Sequence, residues 1–199
     1  MGQAMTEREI EAVLREVTDE EVAFYQEYGW VMMKQLVAPE FASEFLRLGQ
    51  EWNLKQQDRE RRRNSTAGLA IEGVEPFRSF MLSERMAQNA TRLVDRKRLK
   101  DVDVPLRYRT DIVILKSPGA ASGTYHQDSS EHGSDRVGEL QFWLALAEVT
   151  PEMGAMRFVS RSHREGPLGA VFNDDQGDLL EQYPNLTSLL ELSPPFPYQ

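Results

Sequence analysis

The tetrapeptide Tyr125-His126-Gln127-Asp128 sets an imidazole and a carboxylate two residues apart. On a β-strand alternate side chains share a face, so His126 and Asp128 are expected to point the same way, roughly 7 Å apart along the backbone. An imidazole nitrogen and a carboxylate oxygen converging from such positions make half of a divalent metal site. A second histidine from elsewhere would complete a two-histidine, one-carboxylate facial triad, which leaves three coordination positions open. Taken alone, a His-x-Asp spacing reads equally as a surface strand pair or a structural hydrogen bond.

The chain holds three histidines, at 126, 132 and 163, so any further histidine ligand within its 199 residues is His132 or His163. Cysteine is absent, which excludes disulfide frameworks, zinc fingers, thiolate-held clusters and cysteine nucleophiles. Lys+Arg 23 against Asp+Glu 32 gives a net charge of −9, which argues against nucleic-acid binding. No apolar run approaches a membrane span, Phe142 to Leu146 being about the longest, and Thr6-Glu7-Arg8-Glu9 is too charged for a signal-peptide core. A cytoplasmic protein with a small-molecule substrate and no membrane partner is the expectation, with the oligomeric state open.

The elements that must position the motif follow from periodicity. Residues 5–28 read as helical, with Thr18 and Glu21 at capping-box spacing and Gly29 as the stop. Trp30-Val31-Met32-Met33 reads as a short strand. A second helix starts at Pro39, because Phe41, Phe45, Leu48 and Trp52 recur at helical intervals. The basic runs around Arg59 to Arg63 and Arg92 to Lys100 read as solvated faces. From about residue 107 the period shortens to two. Asp111 to Lys116, Thr124 to Asp128, Glu139 to Val149 and Met156 to Val159 read as strands separated by turns such as Ser117-Pro118-Gly119. In 140–147 one face is Leu140, Phe142, Leu144 and Leu146; the other is Gln141, Trp143, Ala145 and Ala147, a mixture that suits either a cavity wall or a partly solvated sheet. One domain over 1–199 is expected, with a helical cover over about 5–100 and strands over about 107–199.

Jointly, Thr18 to Trp52, Tyr125-His126-Gln127-Asp128, and the run from Trp143 through Gly154-Ala155-Met156-Arg157-Phe158-Val159 to Ser162-His163 resemble the phytanoyl-CoA dioxygenase family. The resemblance runs in order from about residue 18 to about 170. It implies a mainly β fold, a double-stranded β-helix (jelly roll) with N-terminal helices packed against it. It also implies iron(II), 2-oxoglutarate as co-substrate and molecular oxygen.

By that resemblance His126 and Asp128 match the first two iron ligands. A carboxylate at Asp128 points to hydroxylation or another oxidation of a C–H bond, because halogenating relatives carry a small residue there. Lys116 matches a polar position near the co-substrate in some relatives, an exposed strand-end lysine being the other reading. Trp143 matches a pocket-lining position, or else belongs to the core. Arg157 is given no role beyond a structural ion pair. The sequence departs from the pattern at Ser160-Arg161-Ser162-His163, where Pro-Gly commonly precedes Ser-His. His163 matches a loop feature rather than the third ligand, and His132 is expected in solvent. The third ligand and a co-substrate-binding arginine match nothing within these residues, so the barrel is expected to be incomplete. The competing readings are a non-catalytic fragment that binds a small molecule or partner, and another metal-dependent enzyme using the same pair.

Overall fold

The computed structural model describes residues 2–59, 68–70, 72–94, 106–115, 118–119, 124–128, 139–166, 168 and 179–190. Its N-terminal half is built on capped helices. Helix α1 (Glu7–Val13) and helix α2 (Asp19–Tyr28) each start from an extended threonine. The Thr6 and Thr18 hydroxyls accept from the backbone N–H of Glu9 and Glu21, whose carboxylates accept in return from the cap's own N–H. The single helix expected over 5–28 is therefore two, since an N-cap residue is itself non-helical.

The segment between them hands its backbone to other partners. Leu14 forms an antiparallel bridge with Val37. Asn89, 0% exposed, accepts from Val17 N–H at 3.0 Å and donates to the Arg15 carbonyl at 2.9 Å. Gly29 closes α2 in the left-handed region at φ 81°, as its sequence position implies. Residues 30–33 carry no strand.

Helix α3 (Pro39–Arg59) buries Phe45 and Leu48 and half-buries Phe41. The Phe45 ring meets Phe41, Phe77 and Phe80 with centroids 4.4, 4.6 and 5.1 Å away. Phe77 and Phe80 lie on α4 (Phe77–Met81), followed by α5 (Glu84–Leu93), which Ser83 caps through Met86 N–H. Ile10, Leu14, Val17, Phe45, Leu48, Phe80, Met86 and Leu93 form one buried cluster. Burial contributes about 1.5–3 kcal/mol per large side chain against about 1 kcal/mol for a cap, so this cluster, more than the caps, holds the helices together.

The described residues show no jelly roll. Helix covers 47% of the described residues and strand 2%, with no sheet. Residues 106–115, 124–127, 140–145 and 155–159 carry neither helix nor strand. The alternation in 140–146 is nonetheless realised: Leu140, Phe142, Leu144 and Leu146 all pack against the helical cluster. A period of two decides which side chains turn inward, whereas a ladder also needs a second backbone within hydrogen-bonding reach. Here the inward face is half-buried against the helical cluster. Near the end, α6 (Leu179–Gln182) and α7 (Thr187–Leu190) flank a 3₁₀ turn at Pro184–Leu186. Leu179 and Leu186 seed a second small cluster with Tyr125 and Leu168 packed on it.

Candidate functional site

His126 and Asp128 come together. His126 Nε2 lies 3.2 Å from Asp128 Oδ1, both side chains being partly exposed at 33% and 41%. The other ring nitrogen, Nδ1, is 2.7 Å from the Thr124 carbonyl oxygen. A carbonyl only accepts, so Nδ1 donates in that contact and Nε2 faces Asp128. An imidazole lone pair and a carboxylate face to face repel unless a cation lies between them, either a proton on Nε2 or a metal ion. At 3.2 Å the spacing fits either one, a proton shared in a hydrogen bond or a metal ion. Two donor atoms each about 2.1 Å from one octahedral divalent ion, at right angles, are about 3.0 Å apart. Backbone anchoring of the distal nitrogen is the arrangement that orients metal-bound histidines.

Gln127, between the two, turns to other work. Its amide donates to the Gly166 carbonyl at 3.1 Å and accepts from the Leu168 N–H at 2.8 Å. These bonds tie Gly166 and Leu168 to the His-x-Asp segment. The sequence signal was the alternation itself, which aims residue 127 away from its neighbours.

A cavity of about 110 Å³ opens beside His126. Its wall includes Trp30, Tyr125, Arg157, Ser162, Leu168 and Leu179. Trp30 is fixed at the back: its Nε1–H donates to Ser160 Oγ at 3.0 Å, and its ring stacks on Phe158 at 5.9 Å. Arg157 lies over the Tyr125 ring, 5.7 Å from the centroid. The expected structural ion pair at Arg157 is absent among the described residues, and the residue lines the cavity with its guanidinium over Tyr125.

The departure at Ser160-Arg161-Ser162-His163 has a structural account. Arg161 adopts φ 67°, a conformation that a glycine takes without strain. Here compensating contacts hold it. The Arg161 side chain pairs with Glu27 at 2.8 Å and lies over the Tyr28 ring at 5.0 Å, and its N–H donates to the Tyr28 carbonyl at 2.8 Å. Arg164 adds a second ion pair to Glu27 at 2.6 Å. Together they hold the Glu27 carboxyl below its ordinary range, the Arg164 hydrogen bond being the largest cause.

The remaining expected residues fare differently. His163 sits in the 3₁₀ turn Ser162–Arg164 against Gly29, outside the cavity wall. Among the described residues no three His, Cys, Asp or Glu side chains are grouped to hold one metal, so His163 does not join His126 and Asp128. Trp143 is 37% exposed on the outward face of 140–146 and is not in the cavity wall. Lys116, His132 and the run Pro194 to Gln199 lie outside the described residues. No helix among the described residues is long and apolar enough to cross a membrane.

A sequence model of the phytanoyl-CoA dioxygenase family matches residues 25–185. No curated protein and no solved structure matches the chain.

Proposed function

Because the chain belongs to the phytanoyl-CoA dioxygenase family, we propose that it is an iron(II)- and 2-oxoglutarate-dependent dioxygenase that hydroxylates or otherwise oxidises a C–H bond of a small organic substrate. The observation that carries this reading is the 3.2 Å approach of His126 Nε2 to Asp128 Oδ1, with Nδ1 committed to the Thr124 carbonyl. The pair supplies two protein ligands of suitable type, spacing and orientation for iron(II). When bound, iron with 2-oxoglutarate and oxygen would supply oxidising power that no side chain has.

The chain's own share is positioning. Thr124 fixes the imidazole plane, and Gln127 holds Leu168 against the cavity. Trp30, Leu168 and Leu179 line its wall with apolar surface, which suits the body of an organic substrate. The substrate is a small molecule and the setting cytoplasmic in this reading, with oxygen as the oxidant.

The test is anaerobic addition of iron(II) and 2-oxoglutarate to the full chain, followed by oxygen. A weak visible charge-transfer band before oxygen and succinate formation after it are expected. Absence of both, in protein that retains its helical circular dichroism, would sink the proposal.

A further inference from the structure

We propose that Arg157 is the anchor for a carboxylate group of the ligand that enters the cavity beside His126, and that it thereby sets the charge class of that ligand. The inference takes from the function proposed above only that this cavity is where the ligand binds.

Three observations carry it. First, Arg157 lines the same cavity as Tyr125 and His126, so the arginine and the histidine border one small space. Second, the guanidinium lies over the Tyr125 ring at 5.7 Å. A cation–π contact engages the charge of the guanidinium and uses none of its N–H donors in a hydrogen bond, so the fork keeps them for a ligand. The ring holds the fork in place without consuming it. Third, no carboxylate among the described residues pairs with Arg157, whereas Arg161 and Arg164 on the same stretch both pair with Glu27.

The rest of the wall gives the ligand its other half. Leu168, Leu179, Leu180 and Leu186 form an aliphatic side. Arg157 itself is exposed, so its hold on a carboxylate rests on paired charge-assisted hydrogen bonds rather than on burial. The complementary ligand has an anionic carboxylate head and a short aliphatic body. At about 110 Å³ the cavity is well below the ~300–1,000 Å³ of ordinary ligand pockets, so it takes a small molecule or the end of a larger one. The carboxylate has two possible sources, the 2-oxoglutarate co-substrate and the substrate itself.

The experiment titrates the full chain with butanoate and with butanamide, which share a shape and differ in charge, following tryptophan fluorescence. The parent should prefer butanoate by about tenfold or more. Arg157→Ala should erase that preference while leaving butanamide binding unchanged, and Arg157→Lys should restore part of it. A parent that binds the two alike or binds neither overturns the proposal. So does an Arg157→Ala chain that weakens both equally, because that is the signature of lost packing on Tyr125. The apparent KM for 2-oxoglutarate in the succinate assay then separates the sources. A rise in Arg157→Ala assigns the carboxylate to the co-substrate, and an unchanged KM assigns it to the substrate. Should the parent form no succinate, the dioxygenase reading fails while the butanoate comparison still decides Arg157.

Discussion

Gly29 and His163 occupy one space: a Cβ added to Gly29 would lie 2.3 Å from His163 Nδ1. The C-cap of α2 is thus also the seat of the 3₁₀ turn that follows the cavity-lining segment. Glu27 and Tyr28, in the last turn of α2, hold Arg161 and Arg164 of the same stretch. A helix near the N-terminus and a turn more than a hundred residues later form one unit, with Trp30 between them on Ser160.

Gly29→Ala should therefore be costly twice, through the left-handed backbone and through the imidazole. The backbone part alone is about 1–2 kcal/mol, or roughly 2–8 °C in a chain of this size. Removing the clash with His163→Ala should recover only the steric part, so the thermal midpoints of the four chains of a double-mutant cycle should be non-additive. Additive midpoints would mean that the ring simply moves aside.

Gln127→Ala should leave the global midpoint within a few degrees and loosen Gly166 and Leu168 selectively. Two hydrogen bonds are lost, at about 0.5–1.5 kcal/mol each, and both act on a local wall rather than on the helical cluster. Hydrogen exchange at the Leu168 amide is the readout. It should accelerate several-fold while the amides of α5 stay protected.

Asp128→Ala should abolish iron-dependent succinate formation and leave the circular dichroism unchanged. Asp128 is partly exposed and supports no buried cluster, so the fold does not need its side chain. Turnover at the parent rate would remove Asp128 from the site.

Glu27 gives the tie between α2 and the 3₁₀ turn a pH dependence. Its folded pKa is depressed below the ordinary 4.5, first by the Arg164 hydrogen bond. A depressed carboxyl contributes stability that is complete above the unfolded value and fades as pH falls through the lower folded one. The gap in thermal midpoint between the parent and Glu27→Gln should thus be constant near neutrality and shrink below about pH 4.5. A gap that grows on acidification would contradict the sign.

Local order was legible in the residues because local order has local causes. Thr18 and Glu21 cap a helix three residues apart, Gly29 ends it by its own backbone freedom, and Phe41, Phe45 and Leu48 share a face by the pitch of the helix alone. The inward set Leu140, Phe142, Leu144 and Leu146 was likewise readable from a period of two. What covers that set was not, because alternation is the same whether a sheet or a helical cluster lies opposite. The site divides along the same line. His126 and Asp128 are two residues apart, and their spacing by itself brought them to notice. The contacts that finish the site join residues far apart: Gln127 with Gly166 and Leu168, Glu27 with Arg161 and Arg164, Trp30 with Ser160. Pairings at such separations depend on how the whole chain closes on itself, so only the tertiary structure decided them.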